Sequence, residues 1–407
     1  MTVPKLRFKE FDGGWTKSTI QFFMDNNFIL DQMDGNHGEL YPKSEEFSAT
    51  GVPYISATDF SFGDVNFATC KRLPIERAKL FKKGIAKNGD VLFAHNATVG
   101  PVAILKTDLD FVILSTTATY YRCEATYLNN HYLKNYFESD FFVQQYFGIM
   151  SQSTRNQVPI TTQRKLNIAV PNIQEQTKIA SFLSAVDEKI SQLTQKHELL
   201  SQYKQGMMQK LFSQQLRFKA DDGSEFREWE EKELKDIAEI NPKSKKLPES
   251  FIYIDLESVE KGQLLLQKNI ELQDAPSRAQ RLLAKGDVLF QMVRPYQQNN
   301  YYFNLSGEYV ASTGYAQIRT KLDSKFIYYA LHEKTFLDEV MNRCTGTSYP
   351  AINSSDLSSI EILIPCLEEQ TKIANFLSAI DQKIEVVAQQ IEQAKTWKKG
   401  LLQQMFV

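Results

Sequence analysis

Two stretches of the chain share one pattern of apolar positions. In the first, Ile179, Leu183, Val186, Ile190 and Leu193 recur at alternating steps of four and three, and Leu200, Met207 and Leu211 continue the series. In the second the series is Ile373, Leu377, Ile380, Ile384, Val387, Ile391, Ala394, Leu401 and Met405. Such a seam predicts a long amphipathic helix with a coiled-coil stripe. Each stretch starts after a proline, Pro171 or Pro365, and continues with acidic and polar residues, Gln174-Glu175-Gln176 or Glu368-Glu369-Gln370. Those suit the positive end of a helix dipole. His197 and Lys204 interrupt the first seam, and Lys398 stands in the second where Lys204 stands in the first. A polar seam residue lowers stability but can fix register or orientation.

The two stretches are copies. Val170–Phe212 and Ile364–Phe406 align without a gap and are identical at 20 of 43 positions. Shorter echoes extend the repeat: Leu6–Lys9 with Leu216–Lys219, Trp15 with Trp229, Tyr54-Ile55 with Tyr253-Ile254, Gly89–Phe93 with Gly286–Phe290, and Ser115-Thr116 with Ser312-Thr313. A period of about 200 residues is a domain duplication, not a solenoid. The chain therefore divides into a first body (1–169), a helix (170–212), a second body (213–363) and a second helix (364–407). Two ordinary helices, each packed on its own body, would fit the pattern. A pair packed on each other fits better, and bodies at opposite ends require that pair to run antiparallel. About 35 residues at 1.5 Å per residue make a rod of roughly 50 Å, the dimension of a molecular ruler.

The bodies mix short strands with helices, so the fold class is α/β (α+β). Phe111–Leu114, Ile168–Val170 and Ile360–Ile364 read as strands, and Tyr127–Phe147 and Lys325–Met341 as helices with aromatic faces. In both copies Gly-Asp-Val-Leu-Phe reads as a tight turn entering a buried strand, an architectural role.

Charge narrows the function. The chain has 47 Lys and Arg against 49 Asp and Glu, net −2, so DNA contact has to come from local patches or from partners. The first body is +1 and the second −4, but residues 71–90 hold seven basic and two acidic side chains, net +5. Lys71, Arg72, Lys82 and Lys83 there, and Arg278 in the second body, are candidate phosphate contacts; a solvated charged helix would show the same composition. Four scattered cysteines make no disulfide framework, and neither they nor the five dispersed histidines show a local metal motif. No signal peptide and no membrane span is expected, which makes the cytoplasm the default location.

Polar clusters that follow the same anchors in both copies are the candidates for base reading. In the first body these are His95, Asn96 and Thr98; Ser115, Thr116 and Thr117; and Thr154, Arg155, Asn156 and Gln157. In the second they are Gln291, Arg294, Tyr296, Gln297 and Gln298; Ser312 and Thr313; and Thr345, Thr347, Ser348 and Tyr349. Side-chain amides can pair with adenine edges and arginine with guanine edges. One scaffold with different polar tips is what two readers of different sequences need.

In these features the chain resembles a known family, the specificity subunits of type I restriction–modification systems. The duplicated Pro-x-x-x-Glu-Gln-x-Lys-Ile-Ala helix start carries the resemblance, with Trp15 and Trp229, the Gly-Asp-Val-Leu-Phe strands and the run Thr345–Ile352. The first copy departs from that last run, with Ser153–Ile160 in its place. The resemblance implies two target-recognition domains reading the halves of a bipartite double-stranded DNA site, and an antiparallel coiled coil that sets the gap. It implies docking of two methyltransferase subunits, and restriction subunits in the full complex. Chemistry, S-adenosylmethionine and ATP with Mg would belong to those partners, leaving this chain without catalysis, cofactor or metal. Half-sites read from one face of DNA lie about 34–36 Å apart, within reach of the rod. Two alternatives stand beside this reading. One is a fused enzyme, but no methyltransferase signature, P-loop or Gly-x-Gly-x-x-Gly occurs, and Glu233-Leu234-Lys235 is a weak nuclease spacing. The other is a coiled-coil scaffold that binds only proteins.

Overall fold

The computed structural model describes residues 3–61, 63–150, 156–243 and 246–407. The chain forms two compact units, Met1–Lys196 with Val387–Val407, and His197–Val386. Each unit thus takes its body together with part of both long helices, Ile173–Phe212 and Leu367–Met405. Among the described residues no helix is long and apolar enough to cross a membrane.

The body of the first unit holds two four-stranded sheets. One has the order Lys71–Leu73, Val52–Ile55, Val112–Leu114, Ile85–Ala86, with a parallel central pair. The other has the order Ile29–Asp34, Ala118–Cys123, Val91–Asn96, Thr98–Ile104 and is antiparallel throughout. Thr16–Thr19 pairs with Asn167–Val170 as a separate ribbon. The second unit repeats this plan. Its sheets run Lys268–Glu271, Ser250–Ile254, Tyr309–Ser312, Ala279–Leu282, and Ala238–Ile240, Tyr315–Thr320, Val288–Gln291, Tyr301–Tyr302. Glu230–Glu233 pairs with Glu361–Ile364. The duplication therefore extends through bodies whose sequences have diverged.

The Gly-Asp turn is architectural in both copies. Gly89 and Gly286 sit at φ +85° and +95°, where a side chain would be strained. The next residue closes the turn: Asp90 accepts the Lys87 N–H and Asp287 the Ala284 N–H, both at 2.7 Å. The same buried carboxylates receive two-pronged bonds from Arg122 and Arg319. The apolar strand that follows, Val91 to Phe93 or Val288 to Phe290, is fully buried.

The aromatic stretches are each two helices, not one. The first divides into Asn130–Glu138 and Asp140–Met150 at Ser139, whose buried hydroxyl donates to the Tyr136 carbonyl. The second divides into Ser324–Ala330 and Lys334–Asn342, where the Glu333 carboxylate caps the new helix by accepting from the Phe336 N–H. The break folds aromatic faces onto one core: Phe137 stacks on Phe142 at 4.3 Å, and both meet Phe93.

The long helices pack antiparallel within each unit. In the first unit Ile179, Leu183, Val186 and Ile190, from the start of one helix, share a core with Leu401, Leu402, Met405 and Phe406 from the end of the other. In the second, Leu211 and Phe212 share a core with Ile373, Leu377 and Ile380. Leu193, Val387 and Ile391 are buried as well, and Ile384 half-buried. Both seam lysines are paired. Lys398 Nζ lies 2.7 Å from Glu138 and 2.7 Å from Asp187, which Lys134 also contacts at 3.0 and 2.9 Å. Lys204 Nζ lies 2.6 Å from Asp381, which also accepts the Tyr329 hydroxyl at 2.7 Å. Lys398 thereby joins the long helices to a body helix, and Lys204 pairs across the two long helices while lying 5.3 Å over the Tyr329 ring of a body helix.

Candidate nucleic-acid interface

The shared Glu-Gln at each long-helix start turns out to anchor the bodies. Glu175 is fully buried and takes two bonds from Arg7, at 2.7 Å each; Glu369 takes two from Arg217, at 3.2 and 2.9 Å. Gln176 accepts the Asn129 N–H and donates to the Tyr127 and Pro171 carbonyls, while Gln370 accepts the Asp323 N–H and donates to Pro365. Asn129 and Asp323 are the N-caps of the aromatic helices. The motif thus clamps the preceding Leu-Arg-Phe-Lys strap and the body helix onto one long helix. A dipole argument alone does not reveal this.

With the body held, the three polar clusters of each unit converge. In the first unit the His95 N–H donates to the Thr117 carbonyl, the Ala97 N–H to Asn156, and the Val158 N–H back to His95. In the second the same ladder recurs one for one: Met292 to Gly314, Arg294 to Pro350, and Ile352 back to Met292. Ala97 and Arg294 occupy equivalent places, and both have left-handed backbones, φ +63° and +54°. Strand register adds the cations. Tyr54 is opposite Lys71, and Leu114 donates to the Gly84 carbonyl, so Lys71 and Lys83 reach the end of the sheet from which Ser115 leaves. Arg278 accepts the Thr313 N–H on its carbonyl, which places it at the same end in the second unit.

Not every candidate faces outward. His95, Ser115, Gln291 and Ser312 are buried. His95 Nδ1 pairs with the Thr119 hydroxyl at 2.9 Å, and burial pushes its pKa down to about 4. A neutral, enclosed imidazole supports the loop and neutralises no phosphate. The Ser115 hydroxyl is shared with Thr117 at 2.6 Å, and Ser312 accepts the Gly314 N–H. Gln291 donates to the Val293 carbonyl and Gln297, accepts from the Asn299 N–H, and its own N–H is taken by Asn300. Thr98, Asn156, Tyr296, Gln297, Thr345, Thr347, Ser348 and Tyr349 are exposed; Asn96, Thr116, Thr117, Gln157, Arg294, Gln298 and Thr313 are half-buried. Thr154 and Arg155 lie outside the described residues.

The basic stretch 71–90 is not a charged helix: it forms strand Lys71–Leu73, the short helix Ile75–Ala78 and strand Ile85–Ala86. Part of its charge is spent internally, Arg77 on Glu46 and Lys79 on Glu76, while Arg72 donates to the Gly51 carbonyl. Lys71, Lys82 and Lys83 are exposed, with Lys71 4.8 Å over the Phe47 ring. Glu233 and Lys235, the weak nuclease spacing, pair with each other on the strand-to-helix turn around buried Leu234.

Beneath each tip lies a buried polar network that sequence reasoning missed. In the first unit Gln163 donates to Thr119 and to the Val158 carbonyl, and accepts from Tyr121 and Gln32. In the second Asn300 bridges Gln291 to His332, whose pKa burial also pushes down to about 4. Gln163 and Asn300 lie in polar runs, Thr161–Lys165 and Gln297–Asn300, whose letters do not show which member turns inward.

A family model for the type I restriction modification DNA specificity domain matches the chain twice, over residues 31–202 and 227–396. The putative type I restriction enzyme MjaX specificity subunit of Methanocaldococcus jannaschii is 28% identical over 333 residues, 77% of this chain and 76% of that protein. The MjaVIII specificity subunit from the same organism is 27% identical over 256 residues, 58% of this chain and 60% of that protein. Among solved structures, the type I restriction–modification S subunit from M. genitalium superposes with a TM-score of 0.60 at 17% identity, over 100% of this chain and 99% of that one. A chain from a study of complex assembly and conformational transition of the type I R-M system gives 0.56 at 19%, over 97% and 98%. At these identities the structural likeness establishes the fold.

Proposed function

This chain belongs to the type I restriction modification DNA specificity family, and we propose that each of its units reads one half of a bipartite double-stranded DNA site. It is the DNA-recognition component of a restriction–modification complex. The observation that carries the two-reader assignment is the repeated three-loop ladder. Identical backbone bonds present Asn96, Thr98, Asn156 and Gln157 in one unit and Arg294, Tyr296, Gln297, Thr347 and Tyr349 in the other. Duplicated geometry with unlike polar tips is suited to two unlike half-sites.

The long helices set the unspecified gap and give two methyltransferase subunits their docking surface; restriction subunits join in the full complex. The chain contributes no catalysis. S-adenosylmethionine, and ATP with Mg, belong to those partners, and the complex works in the cytoplasm. The phosphate contacts of this chain are local, made by exposed Lys71, Lys82, Lys83 and Arg278, with Arg72 beside them. Binding by the isolated chain is weak, and the partners supply most of the phosphate contact.

Mapping methylated adenines in the host genome with and without the gene tests this. One bipartite motif should vanish on deletion and return on complementation. A methylome that does not change, or methyl transfer or cleavage by the purified chain alone, overturns the assignment.

A further inference from the structure

We infer that Arg294 selects a guanine in the half-site read by the second unit, an inference that rests on the DNA-reading function above. Its place is fixed from both sides: its N–H donates to the Pro350 carbonyl at 2.7 Å, and the neighbouring Met292 carbonyl accepts from Ile352 at 3.0 Å. The backbone is left-handed, φ +54°, as at Ala97 in the first unit, φ +63°. The turn imposes that conformation in both copies, so it exists independently of the side chain placed there. A large side chain at a strained position points to a role for the side chain itself.

The guanidinium carbon lies over the Tyr349 ring, 4.2 Å from its centroid, and Tyr349 is 63% exposed. Three other arginines of this unit are consumed internally, Arg217 on Glu369, Arg319 on Asp287 and Arg343 on Glu339, whereas Arg278 and Arg281 lie outside the three-loop ladder. Arg294 pairs with no carboxylate among the described residues, and its Nε is buried without an acceptor. A planar cation with unspent donors, stacked on an exposed ring at a loop tip, matches the O6 and N7 acceptors of guanine in the major groove. Stacking also removes rotamer freedom before DNA arrives, so less is lost on binding. The first unit has only a methyl group at this place and cannot read guanine from it.

The test uses the complex with its methyltransferase partners, on duplexes carrying its mapped motif with 7-deazaguanine replacing each guanine in turn. Removing N7 at one guanine should weaken wild-type binding by roughly 10- to 100-fold. The Arg294→Ala complex should bind substituted and unsubstituted duplexes alike. Arg294→Met, which keeps the stem without any donor, should also lose the discrimination, and it decides the matter should the alanine variant fail to fold. The inference is overturned if no guanine is sensitive, if either variant keeps the wild-type discrimination, or if Arg294→Ala weakens all duplexes equally, as a phosphate contact would. If no bipartite motif maps at all, it is the DNA-reading function that fails.

Discussion

Replacing Lys398 by methionine tests whether the seam lysines tie the long helices to the bodies. Methionine keeps most of the stem volume and removes the charge. In the first unit two lysines, Lys134 and Lys398, share two carboxylates, Glu138 and Asp187, all at 2.7–3.0 Å. The Lys398 side chain is 15% exposed, Glu138 20% and Asp187 28%. Breaking a fully buried pair costs about 3–5 kcal/mol, and an exposed one at most about 1. Partial exposure and the surviving Lys134 place the loss at about 2 kcal/mol. Burial favours the neutral form of Asp187, yet Lys134 and Lys398 outweigh it and hold its pKa below the usual carboxylate value. A carboxylate depressed in the folded state gives stability that is full above its unfolded pKa, near 4, and lost as pH falls through the folded value. The gap between wild type and Lys398→Met should therefore be complete at pH 7 and shrink below pH 4. Urea unfolding followed through Trp15 and Trp397, both in the first unit, reads it. A gap under about 0.5 kcal/mol at pH 7, or one unchanged at pH 3, would refute the electrostatic tie.

The tryptophans make an asymmetric pair. Trp229 Nε1 donates to Glu369 at 3.0 Å, whereas buried Trp15 Nε1 has no acceptor among the described residues. Trp229→Phe should therefore lose about 1–2 kcal/mol more than Trp15→Phe in urea unfolding. His95 and His332 keep pKa values of about 4 against roughly 6.5 unfolded. The unfolded chain binds more protons between those values, so stability should fall as pH drops from 6.5 toward 4, and His332→Phe should flatten part of that slope in pH-dependent melting. Deleting seven residues from each long helix shortens the rod by about 10 Å, or about three base pairs; methylome mapping should show the recognised gap shortened accordingly.

The repeat made the long helices legible, because a heptad seam is a local signal and its second copy independently confirms it. Ile179 to Leu193 and Ile373 to Ile391 lie in the packed seam for that reason. The Gly-Asp turns were legible too, since their chemistry is complete within four residues. What escaped was assembled from afar. The parallel pairing of Val52–Ile55 with Val112–Leu114 joins segments some 60 residues apart with no pattern to announce it. The aromatic stretches read as continuous helices because apolar periodicity survives a one-residue break at Ser139 and a three-residue break at Leu331–Glu333. At the tips, sequence located the loops but could not separate faces. His95 and Gln291 look like Asn96 and Gln297 as letters, and only tertiary hydrogen bonding decides which pair is enclosed.

That division has a consequence for how such a chain can change specificity. The bonds that position the tips run from backbone to backbone, Ala97 to Asn156 and Arg294 to Pro350, and a second layer of buried amides holds the loops from beneath. Neither layer depends on the side chain displayed at position 97 or 294. Exchanging that side chain leaves the ladder intact, while altering Gln163 or Asn300 unfastens a whole loop. Two copies could therefore diverge at the displayed positions without losing the frame, and the surviving match between their ladders, against little identity in their letters, is the trace of that freedom.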